Sequence, residues 1–218
     1  MKILAINGSP RKEHNTAILL KSALDGAGSA GASTELIHLY DYDYKGCVSC
    51  FGCKLKDCKR PGACFHKDQI SPILEATMAA DAFVLGSPVY FHAVTGMMRS
   101  FMERLMFPVL TYKDNYAGLL DRKIPTGFIY TMNIPASAIE EYGYDKAFLP
   151  AKNGLTHLFG SCEVLFSNDT LQFDDYSKYV CTVFNEEHKK QVQKEQFPKD
   201  CKNAFEMGVK LVEQAKKS

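Results

Sequence analysis

The chain has 218 residues, of which 46% are hydrophobic and 23% charged, and a formal net charge of +1. That composition supports a packed core and excludes an intrinsically disordered chain. The near-zero charge argues against bulk nucleic-acid binding, which needs clustered basic residues.

Lys2–Ile6 is a short apolar run with no polar face and reads as a strand buried on both sides, as in parallel sheets. A polar loop, 7–15, leads into helical spacing over 16–24. Residues 25–32 read as a small-residue loop and 34–39 as a second strand. A cysteine-rich loop at 45–67 precedes a helix at 69–79. Residues 82–85 form a third buried strand. Gly86 opens a loop into a helix that turns Met97, Met98, Phe101, Met102, Leu105 and Met106 inward, for core or oligomer packing. A fourth strand is predicted at 124–130, a helix at 148–159, a fifth strand at 164–173 and a terminal helix at 201–216. Residues 185–194 read as a solvated connector.

Strands alternating with helices predict βαβ units. The expected fold is a single α/β domain over 1–218, a flavodoxin-like, doubly wound, five-stranded parallel sheet in the order 2-1-3-4-5. The run Gly26-Ala27-Gly28-Ser29-Ala30-Gly31 has the G-x-G-x-x-G spacing. It follows a helix and precedes a strand, the reverse of the dinucleotide-binding context, and reads as a connecting loop. The longest weakly charged stretch, 82–98, is broken by Gly86-Ser87-Pro88, so no membrane span of ~20 apolar residues is expected. The apolar run after Met1-Lys2 is too short for a secretory leader, and a cytoplasmic protein is expected.

Asn7 to Thr16 joins the first strand to its helix, where open α/β sheets bind ligands. A helix N-terminus there presents free N–H groups and partial positive charge. Ser9, Asn15 and Thr16 supply further polar groups, and Arg11 a charge-assisted bond, together suiting a phosphate monoester. His14 reads as a solvated loop residue. The third strand ends in Gly86-Ser87-Pro88-Val89-Tyr90-Phe91-His92, a stiff, aromatic loop suited to a planar ring system. His92 borders it.

Gly8-Ser9-Pro10-Arg11, Asn15-Thr16 and Ser87-Pro88-Val89-Tyr90-Phe91 together resemble the NADPH-dependent FMN reductase branch of the flavodoxin-like proteins. So does Met98-Arg99-Ser100-Phe101-Met102-Glu103-Arg104. The resemblance covers residues 1 to about 135 and is looser beyond. It implies an FMN phosphate on Ser9, Arg11, Asn15 and Thr16. It places the ribityl chain and isoalloxazine against Pro88, Val89, Tyr90 and Phe91, with a third contact at Thr131, Met132 and Asn133. Asn133 stands where the family often has glycine. The implied activity is oxidoreduction with NAD(P)H as hydride donor, in a homodimer or tetramer with the flavin near a subunit boundary. The chemistry belongs to the cofactor, and no side chain is obliged to act as acid or base. A non-catalytic flavin- or metal-binding module, for redox sensing or partner docking, is the alternative.

Five of the eight cysteines lie within 47–64, and Cys47, Cys50, Cys53 and Cys58 read C-x2-C-x2-C-x4-C. Compact runs of this kind ligate four-iron clusters. Six basic residues against one acid over 45–67 would partly offset an anionic [4Fe-4S] cluster. Reduced thiols, a four-cysteine zinc site and a disulfide-bonded loop are the competing readings. The motif resembles that of the iron–sulfur flavoproteins, where single electrons pass between cluster and FMN and a small soluble carrier is a candidate donor. Spacing makes Cys58 the fourth ligand, whereas the resemblance favours Cys64 in Cys64-Phe65-His66-Lys67-Asp68. Cys162, Cys181 and Cys201 read as core thiols. Residues 171–179 form either a subunit contact or a wall over the flavin.

Overall fold

The computed structural model describes residues 1–113 and 116–218. Its strands are β1 (Lys2–Asn7), β2 (Ser33–His38), β3 (Ala82–Tyr90), β4 (Ala93–Val94), β5 (Thr126–Thr131) and β6 (Cys162–Ser167). Its helices are α1 (Asn15–Ser29), α2 (Ser71–Ala79), α3 (Gly96–Met106), α4 (Tyr144–Ala147), α5 (Leu149–Phe159), α6 (Glu186–Glu195) and α7 (Phe197–Ala215). The parallel strands run β2-β1-β3-β5-β6, and β4 pairs antiparallel with the end of β3. Without that short return strand, this is the expected 2-1-3-4-5 order.

Side chains of a strand alternate between faces, and both faces of this sheet are covered. Leu4, Ile6, Phe83, Leu85, Phe128 and Tyr130 enter one core, under α2, α3 and α5. Ile3, Ala5, Ala82, Val84 and Ile129 enter the other, under α1 and α7. This is why the strands read as continuous apolar runs.

Several boundaries differ from the sequence expectation. Helix α1 continues to Ser29, so Gly26 and Gly28 are helical rather than in a loop. A Cβ on Gly26 would stand 2.0 Å from the Phe205 carbonyl oxygen, and one on Gly208 1.8 Å from that of Ala23. These two glycines let α1 and α7 touch backbone to backbone, whereas a Cβ on Gly28 or Gly31 would meet open space, so of the run only Gly26 serves the helix packing. Strand β3 runs on to Tyr90, because β4 turns back to pair with it. Strand β6 ends at Ser167, not 173.

The expected solvated connector at 185–194 is helix α6, with Asn185 accepting from the His188 amide as its N-cap. Its Lys189 is buried. The ammonium pairs with the Asp169 carboxylate and donates to the Asn133 carbonyl at 2.7 Å. Asp169 also accepts from His188 Nε2 at 2.6 Å. Helix α6 is thereby fastened to the loops after β5 and β6.

Burial alone would raise the Asp169 carboxyl; the bonds and charges of Lys189 and His188 outweigh it and hold the group below its ordinary 3.8. A depressed carboxylate stabilises the fold above its unfolded value and loses that contribution as pH falls through the folded value. Asp169→Asn is therefore expected to be less stable than the parent near pH 7. Urea unfolding followed downward through pH 4 should show the difference shrinking; a difference that stays constant across that range contradicts the assignment.

Candidate functional site

The C-terminal ends of β1, β3 and β5 open on one cleft. At the end of β1, the buried Asn7 turns the chain: its Oδ1 accepts from the Ser9 amide at 2.9 Å. Ser9 Oγ accepts from the Arg11 amide at 3.1 Å. The Gly8 amide donates to the Gly86 carbonyl at 2.8 Å, joining the first loop to β3. A Cβ on Gly8 would stand 2.8 Å from Met98 Cβ, so only glycine lets the loop lie this close to α3.

Thr95, 1% exposed, completes the junction. Its hydroxyl donates to the Gly8 carbonyl at 2.7 Å and accepts from the Met98 amide as the N-cap of α3. Its amide donates to Ser87 Oγ at 3.0 Å. One residue thus binds the β1 loop, the β3 end and α3. Across the cleft, the Thr16 and Thr131 hydroxyls share a hydrogen bond of 2.8 Å.

Every residue expected to bind the cofactor lines this cleft except one. Ser9, Arg11, Asn15, Thr16, Pro88, Val89, Tyr90, Thr131, Met132 and Asn133 form its walls, with His14, Thr170 and Gln172. The exception is Phe91, which is 100% exposed. Phe91 and His92 form the tip of the β3–β4 turn, with φ of 48° and 63°. Left-handed backbone at two successive residues matches the twist of a tight hairpin but is strained for bulky side chains. The tip aims Phe91 outward, while the His92 ring stacks on Tyr144 at 4.8 Å.

His14, the residue before α1, is partly buried. It gives no side-chain cap, and the first turn carries no acid. The N–H groups and partial positive charge of that helix end therefore face the cleft without a local anionic partner. Asn133 Oδ1 is buried without a hydrogen-bond partner, an acceptor awaiting a donor.

The segment after β6 closes the cleft. Asn15 Nδ2 donates to the Leu171 carbonyl at 2.8 Å, and Arg11 to that of Gln172 at 2.6 Å. Between the two roles considered for residues 171–179, its start is thus a wall of the cleft. An anion on α1 would share the Asn15 and Arg11 donors with these two carbonyls or replace the carbonyls as their acceptor.

The cysteines divide. Cys47, Cys50, Cys53 and Cys64 line one small cavity with Phe65, His66, Glu103 and Arg104. Cys58 is not on it. All eight cysteines are free thiols. Among the described residues, no three His, Cys, Asp or Glu side chains stand close enough to share one metal ion. Burial pushes the Cys53 thiol up. Not all the basic residues of the loop face a cluster site. Lys54 donates to the Phe107 and Leu110 carbonyls at the end of α3, and Arg60 and Lys67 pair with Glu75. Cys162 is buried as expected, whereas Cys181 and Cys201 are only partly so.

Residues 1–124 match the model of the family described as NADPH-dependent FMN reductase. The chain belongs to that family. An iron-sulfur flavoprotein of Archaeoglobus fulgidus is 42% identical over 104 residues, 48% of this chain and 48% of that one. The chain spans about half the length of the curated relatives it matches first. Among solved structures, an NAD(P)H:quinone oxidoreductase from Methanothermobacter marburgensis superposes with a TM-score of 0.71 at 13% identity, covering 97% of this chain and 98% of that one. A flavodoxin from the domain Archaea gives 0.53 at 13% identity, covering 99% of each. At such identities the superpositions establish the flavodoxin-like fold. No described helix is long and apolar enough to cross a membrane.

Sequence reasoning missed Thr95, whose one visible signal is a threonine placed directly before a helical run. Thr95→Val removes both hydroxyl bonds while keeping the shape. It is expected to lower unfolding stability by about 1–3 kcal/mol, measured by denaturant titration. Unchanged stability contradicts the bridging role.

Proposed function

We propose that this chain binds FMN in the cleft and acts as an oxidoreductase. Reducing equivalents arrive from NAD(P)H or a small electron carrier and leave to a small-molecule or protein acceptor. The observation that carries the reading is the uncapped α1 N-terminus with Ser9, Arg11, Asn15 and Thr16 about it, facing Pro88, Val89 and Tyr90 across one cleft. That arrangement suits a phosphate at one end and a flat, partly apolar ring at the other. Bound FMN supplies the hydride and electron chemistry. The protein's part is to neutralise the phosphate with Arg11 and helix N–H groups, fix the ring against the β3 end and offer the Asn133 oxygen to a ring N–H.

We further propose that Cys47, Cys50, Cys53 and Cys64 hold a [4Fe-4S] cluster. Their shared cavity supports this set over one containing Cys58. Ligands of such a cluster bind different irons and stand apart, whereas zinc gathers four donors at ~2.3 Å for sulfur. Among the described residues, no three such side chains stand close enough to share one ion. The half-exposed Tyr90 and exposed Phe91 beside the cleft support a homodimer or tetramer covering it. Reduced thiols suit the cytoplasm.

Anaerobically prepared protein, loaded with FMN, is expected to oxidise NADPH or a reduced carrier steadily when a quinone is supplied. Iron and acid-labile sulfide should approach about four each per chain. FMN that stays bound yet is reduced by neither donor overturns the oxidoreductase reading in favour of a binding module. Zinc in place of iron overturns the cluster.

A further inference from the structure

Arg104 lies on the Met-rich helix α3 and is 1% exposed. A guanidinium has five N–H donors and is costly to bury unless they are met. Four are met here, all by the segment that carries the cysteines. One N–H donates to the Lys45 carbonyl at 3.1 Å, just before Cys47, and another to the His66 carbonyl at 2.7 Å, just after Cys64. A third reaches the Asp68 carboxylate, which supplies the balancing charge. The fourth, Nε–H, donates to the sulfur of Cys64 at 3.4 Å.

A clamp that only closed the loop would need its two carbonyls and a counter-ion. The bond to sulfur is extra, and it selects one cysteine. A neutral thiol is a weak acceptor, whereas a cluster-bound or bare thiolate is a strong one. The neighbouring Glu103 completes the grip: its carboxylate accepts from the Cys47 amide at 3.2 Å. Two consecutive residues of one helix thus hold the first and last cysteines of the set around the cavity. Cys58 receives no such contact from Arg104.

We propose that Arg104 is the positioning residue of the cysteine loop: its guanidinium fixes both ends of the loop and donates to the Cys64 sulfur, tuning and retaining the cluster ligated there. The inference rests on the ligand set given above. A hydrogen bond to a ligand sulfur stabilises the more negative, reduced cluster and so raises its potential. Arg104 lies outside the flavin cleft and does not touch the residues that line it.

The test compares the full-length parent with Arg104→Lys, which keeps the charge but loses the planar fork. Each is reconstituted anaerobically with iron, sulfide and FMN. Cluster potential, iron loss to a chelator and FMN affinity are then measured. Expected for Arg104→Lys are a more negative cluster potential, several-fold faster iron loss and unaltered FMN affinity. Should it fail to fold, Asp68→Asn, which removes the carboxylate aiming the guanidinium, is expected to shift both cluster readouts in the same direction. A parent that takes up iron while the folded variant matches its potential and chelation rate overturns the role of Arg104 alone. Faster iron loss at an unchanged potential reduces Arg104 to a structural clamp and also overturns the tuning claim. A parent that takes up no iron overturns the ligand set, and this inference falls with it.

Discussion

Thr95 joins the β1 loop to the end of β3 and to α3, which lie some eighty residues further along the chain. It closes the β1 loop through the Gly8 carbonyl and starts α3 through the Met98 amide, while the Thr95 backbone ties to Ser87 at the end of β3. The cleft depends on this junction, because its two principal walls come from loops of different strands. A parallel sheet puts the ends of β1 and β3 side by side, but their loops need a further constraint to hold one shape. The Gly8–Gly86 bond supplies part of it and Thr95 the rest.

Helix α3 extends the same constraint to the cysteines. Its N-terminus is fixed at the cleft by Thr95, and its second half holds the cysteine loop through Glu103 and Arg104. Lys54 returns from that loop to the Phe107 and Leu110 carbonyls just past the helix C-terminus, where a cation is favoured. Arg104 lies nine positions after Thr95, so at ~1.5 Å per residue the helix spaces the two regions by ~14 Å along its axis. Being helical and buried on one face, it is a stiff spacer. A flavin in the cleft and a cluster at the cysteines would keep a set separation.

The strands were legible because each is buried on both faces, and an uninterrupted apolar run has few other meanings. The cleft was legible for a similar reason: loops at the C-terminal ends of β1, β3 and β5 must converge wherever the order is 2-1-3. What stayed hidden depends on partners distant in the chain. Lys189 sits in a charged segment that looks solvated until Asp169 and the Asn133 carbonyl are placed beside it. Arg104 likewise reads as the polar face of an amphipathic helix. Its inward orientation follows from Asp68 and the loop carbonyls, which no helical periodicity records. Gly26 and Gly208 lie far apart in sequence, so the helix crossing they permit leaves no local signal. Phe91 was expected in a wall because an aromatic in a ligand loop suggests one, whereas the hairpin turn puts it at the exposed tip. Spacing pointed to Cys58 and the family resemblance to Cys64; the folded loop brings Cys64, not Cys58, to the cavity of the other three.

The central claim is that the two loops joined through Thr95 grip one mononucleotide, with its phosphate on α1 and its ring along the end of β3. Parallel titrations of the cofactor-free protein with FMN and riboflavin test this most directly, since the ligands differ only in the phosphate. Charge-assisted bonds contribute roughly 1.5–3 kcal/mol each, and 1.4 kcal/mol is tenfold in affinity. The account predicts FMN binding tighter than riboflavin by about 100-fold or more, with Arg11→Ala removing much of the difference. Equal affinity for the two ligands, or no binding of either, contradicts it.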